Sequence, residues 1–341
     1  MQIKKEEIAM KTITVDKDNL EDAAKCLHDG GLVVFPTETV YGLGADAFNA
    51  ESVKNIYKAK GRPGDNPLIV HIAKIDDVSR LAREIPDFAR PLMDKFWPGP
   101  MTLIFKKRST VIDEVTAGLD TIAVRYPSNE IANKLIAMSG VLVAAPSANL
   151  SGSPSPTVYR HVAADLDGRV DYIINGGNCD VGLESTVIDV SGDFPVILRP
   201  GAVTIEMLQE IVPQSQTDKN IFGTTDRPKC PGMKYTHYSP KADVIVVCGD
   251  KQKRKEYIER TAIKAESGVL TYGGNEYNGM KFVINVGDNM KEYAKKLFYD
   301  LRLFDEHGVK TVYAEFVEEN GIGVAVKNRL YKSAGYNIVN V

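Results

Sequence analysis

Short apolar runs rich in β-branched residues alternate with amphipathic stretches along nearly the whole chain, and this alternation most narrows what the chain can become. "LVVF" (32–35), "PLIVHIA" (67–73), "MTLIFKK" (101–107), "TIAVRYP" (121–127) and "VLVAA" (141–145) have the length and composition of buried strands. Between them, "DNLEDAAKCLHDGG" (18–31) sets Leu20, Ala23, Ala24 and Leu27 at helical spacing, behind an Asp18 or Asn19 cap and ahead of two glycines. "NAESVKNIYKAKG" (49–61) repeats the pattern with a cap, a stripe of Val53, Ile56 and Tyr57, and a glycine stop. Strands "DYIIN", "STVIDV" and "PVILR" follow, with helices near 158–166 and behind Thr204. These elements do not alternate strictly as βαβ units. The expected fold is therefore α/β, a twisted mixed sheet with flanking helices.

At 341 residues the chain has room for two domains. From Pro213 to Pro228 the sequence turns polar and loses its periodicity, as a linker does. Beyond it the alternation is cleaner. Strand "VIVVC", a helix over 250–266, strands "GVLTY" and "KFVINV", a helix over 289–306, strand "TVYAEF", a helix near 323–333 and strand "NIVNV" make a smaller doubly wound, Rossmann-like domain. No GxGxxG follows its first strand. The expected organisation is 1–212 for the first domain, 213–240 for a linker that doubles as a lid, and 241–341 for the second domain.

Charge and cysteines exclude several classes. The formal net charge is −3 and neither half of the chain is basic. The one dense cationic run, "KQKRK" (251–255), reads as the solvated face of a helix. A protein whose affinity rests on neutralising phosphates along a nucleic acid needs a basic stripe, so tight autonomous nucleic-acid binding is not expected. No apolar run reaches the roughly 18 residues of a membrane helix, and the start, "MQIKKEEIAMKTITV", is no secretory signal, so a soluble cytoplasmic protein is expected. Cys26, Cys179, Cys230 and Cys248 form no CxxC pair, so neither zinc nor redox chemistry is signalled.

Several polar stretches adjoin the first domain's strands, where α/β proteins place their sites. "FPTETVYGLGAD" (35–46) offers Thr37, Glu38 and Thr39 beside two glycines, although a tight turn with an incidental acid explains it equally well. "KAKGRPGDNPLIVHIA" (58–73) gathers Lys58, Lys60, Arg62, Asn66 and His71. Cations complement a helix C-terminus, and a lone strand histidine is usually a core residue; the density of polar groups is what singles this stretch out. Arg125 interrupts an apolar strand, and its planar fork suits a carboxylate if it is buried. "APSANLSGSPSPT" (145–157) and "GLESTVIDV" (182–190) supply serines and backbone amides that can surround phosphate oxygens. No GxxxxGK[ST], GxSxG or HExxH occurs. Residue chemistry thus reaches a site for a phosphate-bearing ligand and a small carboxylate, and names no reaction.

The same stretches, with "WPGPMTLIF", "LRPGAVT" and "PGMKYTHYSPKAD", stand in the order and spacing of a YrdC-like fold. The chain resembles the two-domain threonylcarbamoyl-AMP synthases of the Sua/YrdC/YwlC family. The resemblance implies that L-threonine, bicarbonate or CO2 and ATP give threonylcarbamoyl-AMP and pyrophosphate. It implies further that a tRNA threonylcarbamoyltransferase complex uses the product for threonylcarbamoyladenosine, with weak or no direct tRNA binding by this chain. It implies no covalent protein nucleophile, and Mg²⁺ carried with ATP rather than held in a protein cage. Carried over by motif, Thr39, His71, Arg125, Ala145 and Ser185 would hold threonine. Lys60, Arg62, Asn66, Thr121, Ser147, Asn149, Ser155, Arg199 and Tyr238 would hold ATP, with Lys60, Arg62 and Arg125 positioning the reacting groups. Tyr235 and His237 would act as lid groups, and the stretch 145–157 as a nucleotide-holding loop. Cys230 departs from the small residues usual there, and Glu38 and Glu184 receive no role. A YrdC-like RNA-binding module without adenylation activity is the alternative. A hydrogenase-maturation carbamoyl-transfer protein would bring CxxC fingers that this chain lacks.

Overall fold

The computed structural model describes residues 11–223, 238–317 and 320–341. The first domain's strands are β1 (Ile13–Asp16), β2 (Val33–Phe35), β3 (Gly42–Asp46), β4 (Ile69–His71), β5 (Met101–Lys106), β6 (Thr121–Arg125), β7 (Val143–Ala144), β8 (Tyr172–Asn175), β9 (Thr186–Asp189), β10 (Val196–Arg199) and β11 (Gln216–Thr217). They form one sheet in the order β1-β8-β2-β3-β7-β4-β6-β5-β9-β10-β11. Parallel pairs such as β4 with β6 sit beside antiparallel ones such as β5 with β6, the mixed sheet expected from the sequence.

One face of this sheet buries the main core, where Val53 and Ile56 of the helix Ala50–Lys60 meet Leu43, Val70 and Val124. That helix starts as expected: Asn49 Oδ1 accepts from the amides of Glu51 (3.1 Å) and Ser52 (3.2 Å), and Gly61 ends it at φ +60°. The other face is covered at one end by the helices Glu21–His28 and Glu130–Ser139. Ala23, Ala24 and Leu27 pack there with Ala132, Leu135, Phe35 and Val143. The first of these helices lacks the expected side-chain cap; Leu20 holds the cap position, and the Asn19 amide turns back to the Asp16 carbonyl (3.0 Å).

The expected linker begins as part of the sheet. β11 pairs in parallel with β10, and Ile221 is buried in the main core. The amides of Gln216 and Asp218 bond to the Pro195 and Ile197 carbonyls (2.9 Å each), completing an edge that polar composition alone does not reveal.

The second domain has strands β12 (Asp243–Cys248), β13 (Ser267–Thr271), β14 (Phe282–Asn285), β15 (Thr311–Phe316) and β16 (Ile338–Asn340), all parallel, in the order β14-β13-β15-β12-β16. The helices Met290–Glu306 and Gly323–Ser333 bury Phe298, Leu301, Val326 and Leu330 in one cluster, and Ile258 of the helix Lys251–Thr261 lies in another with Val247 and Val269. The sheet is thus wound on both faces. The Lys251–Thr261 helix is shorter than the 250–266 read from the sequence, because Ala262 is already extended. Open parallel sheets bind ligands beyond their strand C-termini. Here Glu315, fully buried, fills that region; its carboxylate accepts from Thr271 Oγ1 (2.8 Å), the Tyr272 amide (2.9 Å), Asn275 Nδ2 (2.6 Å) and Tyr277 Oη (2.8 Å) and pairs with Arg254 (3.4 Å).

Two arginines of the second domain reach the first. Arg302 grips Asp165 through both nitrogens (2.6 and 3.1 Å) and donates to the Pro154 carbonyl (2.6 Å). Arg329 enters beside Glu184. Gly182, at φ +81°, lets the chain pass so close to Lys295 that a Cβ would lie 2.4 Å from its carbonyl oxygen. Among the described residues no helix is long and apolar enough to cross a membrane.

Candidate functional site

Alternate residues of a strand face one side of a sheet, and the strand register turns this into a row. His71 on β4 stands opposite Arg125 on β6, Arg125 opposite Thr102 on β5, Thr102 opposite Val187 on β9, and Val187 opposite Arg199 on β10. A register break between Ile197 and Arg199 sets that last pairing, a local irregularity of the kind that re-aims side chains beside sites. Val187 of this row also belongs to a small buried apolar patch with Ile69, Ile104, Ala123 and Leu198. The candidate site therefore lies across the face of the sheet, rather than beyond its strand ends. It occupies the part of that face left free by the helices Glu21–His28 and Glu130–Ser139.

The stretch 145–157 closes over this face as a shaped loop. Its backbone is fastened throughout: Ala145 N to Ile69 O (2.8 Å), Leu43 N to Pro146 O (2.9 Å), Ala148 N to Tyr41 O (2.8 Å), Ser151 N to Lys60 O (3.0 Å) and Tyr41 N to Pro156 O (2.9 Å). Lys60, at the end of its helix and 2% exposed, sends its ammonium into the loop; it donates to the carbonyls of Ser147 and Asn149 (2.6 Å for the latter) and to Asn149 Oδ1 (3.4 Å). Burial, and then the nearby Arg62 charge, push its pKa well below the usual lysine value. Sheet face and loop border a narrow cavity open to solvent.

One carboxylate, Glu184, lines this cavity, another, Glu38, stands behind the lining residue Arg125, and each is held by an arginine. Glu38 Oε1 accepts from Arg125 Nη2 at 2.6 Å, and Oε2 accepts from the Ser128 amide (3.2 Å). Glu184 Oε1 accepts from Ser155 Oγ (2.6 Å) and Oε2 from Arg329 Nε (3.0 Å). Burial pushes the Glu184 carboxyl up, but the Arg329 and Arg199 guanidiniums and the Ser155 hydroxyl outweigh it and hold it below the ordinary range. Ser185 Oγ lies 2.8 Å from Thr102 Oγ1 and 3.2 Å from Arg199 Nη2. Among the described residues no group of three or more His, Cys, Asp and Glu side chains gathers as for a metal ion.

The residues named from the sequence converge unevenly. His71, Arg125, Ala145 and Ser185 of the threonine set line the cavity, as do Lys60, Arg62, Ser147, Asn149, Ser155, Arg199 and Tyr238 of the ATP set. Thr39, Asn66 and Thr121 do not. Thr37 Oγ1 accepts from the amides of Thr39 and Val40 in a tight turn, so Thr39 is fully buried against Thr37 (2.9 Å) and Thr37 takes the place at the wall. Asn66 is buried behind Arg62, which donates to its carbonyl (3.3 Å). Thr121 shares the face of Arg125, but lies four residue steps away along the strand, about 13 Å. Tyr235, His237 and Cys230 lie outside the described residues. Glu184, Thr37 and Tyr41 are wall residues that the sequence reading left without a role. The adjacency of Glu184 to Ser185 was the available signal for the first.

His71 is 3% exposed, its Nδ1 3.2 Å from the Ile69 carbonyl. Burial first, then the Arg125 charge, push its pKa down to about 3, so the ring is neutral at ordinary pH. His161, buried against Tyr299, is also pushed down to about 3, by burial and then by Arg302 and Arg160. Both depressed values make the unfolded chain the better proton binder below pH 6.5. Stability is expected to fall as pH drops from 6.5 toward 3. His71 contributes about 2 kcal/mol of loss between pH 6.5 and 5. Denaturant melts at pH 7.5 and 5.0 measure this, and equal stabilities would contradict it.

The chain matches two family models: one described as telomere recombination over residues 25–201, and one described as threonylcarbamoyl-AMP synthase, C-terminal domain, over residues 203–335. It is 47% identical to the threonylcarbamoyl-AMP synthase of Pyrococcus abyssi, covering 96% of this chain and 97% of that protein. To the threonylcarbamoyl-AMP synthase of Bacillus subtilis it is 43% identical, covering 96% of each. The crystal structure of P. abyssi Sua5 complexed with L-threonine superposes with a TM-score of 0.93 at 45% identity, covering 97% of this chain and all of that one. The crystal structure of Escherichia coli YciO matches 56% of this chain and 96% of its own, at 26% identity and a TM-score of 0.50.

Proposed function

Because the chain belongs to the Sua5/YciO/YrdC family and carries a Sua5-type C-terminal domain, we propose that it is an L-threonylcarbamoyladenylate synthase, a nucleotidyltransferase using L-threonine, bicarbonate or CO2, and ATP. One observation carries this reading to the residues. Buried polar atoms at or just behind the cavity lack hydrogen-bond partners among the described residues: Arg62 Nε, both side-chain heteroatoms of Asn66, and Arg125 Nε. Unpaired buried polar groups each cost about 1–3 kcal/mol, so their gathering at one cavity is best explained by a ligand that supplies partners. Cations and an amide on the nucleotide side suit phosphates and a base; a half-free guanidinium on the other side suits a carboxylate.

In this reading the bare edge of Arg125 takes the threonine carboxylate, while Glu38 holds the opposite end of the guanidinium. Neutral His71 accepts a hydrogen bond from threonine without adding charge. The amine attacks the carbon of CO2 or bicarbonate and forms a C–N bond; a proton leaves the nitrogen, and with bicarbonate a water departs. A carbamate oxygen then attacks the α-phosphorus of ATP. The bond from that phosphorus to the oxygen bridging the β-phosphate breaks, and its electron pair leaves with pyrophosphate. Positioning and charge stabilisation, rather than a protein nucleophile, carry such a transfer. Arg62, Arg199, Ser147, Ser155 and the loop amides are the groups placed for the phosphates.

The wall carboxylate Glu184 and Glu38 behind Arg125 are both engaged by arginines, and the other polar groups are cationic, hydroxyl or amide groups. That set fits phosphates better than a bare cation, so Mg²⁺ is proposed to arrive on ATP, where it offsets phosphate charge. The product would pass to a tRNA threonylcarbamoyltransferase complex, and the enzyme would act in the cytoplasm beside it. Pyrophosphate release, with threonine and bicarbonate omitted in turn, tests the proposal. Release requiring both is expected. Release without threonine would point to another acceptor, and none from folded protein with Mg²⁺ present would sink the synthase reading.

A further inference from the structure

The second domain's own ligand region is filled by the Glu315 network, yet one of its side chains reaches the wall of the candidate site in the first domain. Arg329, on the helix Gly323–Ser333, is fully buried. Its Nε donates to Glu184 Oε2 (3.0 Å), and its Nη1 to the Pro200 carbonyl (2.9 Å) and to Asn328 Oδ1 (3.0 Å). Its Nη2 lies 3.5 Å from the Glu184 carbonyl, and its guanidinium carbon 5.7 Å from the Tyr238 ring. One cation thus fastens three segments of the wall: Glu184, the Arg199–Pro200 turn, and Tyr238. Glu184 in turn orients Ser155, whose hydroxyl it accepts at 2.6 Å.

The site is proposed to receive a polyanion, and an uncompensated carboxylate in its wall would repel one. We infer that Arg329 is a positioning residue supplied by the second domain, which neutralises Glu184 and through it sets Ser155 and the adjoining wall for the nucleotide. The inference rests on the ATP reading above. It assigns the second domain a part in the site that requires no ligand of its own, and it explains why a helix so distant in sequence carries a buried charge across the domain boundary. A buried charge left without its partner is strongly destabilising, so the pair acts as a unit.

The test is calorimetric titration of ATP and, separately, of L-threonine into the full chain, alongside Arg329→Gln and Arg329→Gln/Glu184→Gln. Arg329→Gln is expected to weaken ATP at least tenfold while changing threonine affinity less than threefold. The added Glu184→Gln, which keeps an acceptor for Ser155, should recover most of the loss. Unchanged ATP affinity, an equal loss for both ligands, or no recovery in the double variant would each overturn the inference. If the single variant fails to fold, the double variant decides: ATP binding within about tenfold of the parent is expected, and a folded double variant that loses more overturns it. A parent that binds no ATP would overturn the reading of the site and this inference with it, whereas a binding parent with an unaffected variant overturns the inference alone.

Discussion

Arg125→Ala is expected to lower kcat/KM for threonine by about a thousandfold and to destabilise the fold by about 3 kcal/mol. Both effects trace to one geometry. Arg125 is 4% exposed; its Nη2 is 2.6 Å from Glu38 and 3.4 Å from Thr37 Oγ1, and its Nε has no partner among the described residues. Removing the guanidinium strips the substrate carboxylate of its proposed partner and leaves Glu38 as a buried, uncompensated charge facing the same space. The carboxylate of an incoming threonine would then meet repulsion where it had met a fork. Arg125→Lys should rescue most of the stability but little of the activity, since a point charge can satisfy Glu38 and cannot also present a free edge. Steady-state kinetics in threonine and a denaturant melt separate the two effects. An Arg125→Ala enzyme within tenfold of the parent would refute the carboxylate role.

The second large effect is expected at Lys60. Lys60→Ala should lower kcat/KM for ATP by at least about a hundredfold, through the loop rather than through a lost phosphate contact alone. Lys60 Nζ reaches the Ser147 carbonyl and two oxygens of Asn149. Without it those carbonyls lose a charged donor in a dry setting, at about 1.5–3 kcal/mol for hydrogen bonds to a charged group. The stretch from Ser147 to Ser155 should loosen, most at its Ser147–Asn149 end, since Ser155 to Glu184 and Arg302 to the Pro154 carbonyl still hold the other end. Hydrogen exchange reads this directly: protection of Ser147–Ser155 amides should fall in Lys60→Ala and in Lys60→Met, which keeps the bulk of the stem. If exchange in the loop is unchanged while ATP use is lost, Lys60 works on the phosphates and the loop holds itself.

Wherever the information was local, the sequence could be read. The helices of 50–60 and 290–306, the strands carrying His71 and Arg125, and the mixed sheet followed from side-chain spacing, because periods of two and 3.6 are written into neighbouring residues. The motif blocks named eleven residues that the fold brings to one cavity. The sequence by itself therefore determined the element types, the family, and the chemical character of the site: cations, hydroxyls and glycines suited to phosphate and carboxylate. Only the tertiary structure decided that Glu38, 87 residues away, grips Arg125, and that Arg329, 145 residues away, grips Glu184. It also decided that the site lies across a sheet face rather than at strand ends, and that Gln216–Thr217 extends the sheet instead of beginning a linker. The physical reason is common to all four. Strand order, register and domain docking are set by burial and hydrogen bonding summed over the whole molecule, so which charge meets which cannot be read from either one's neighbours in the chain.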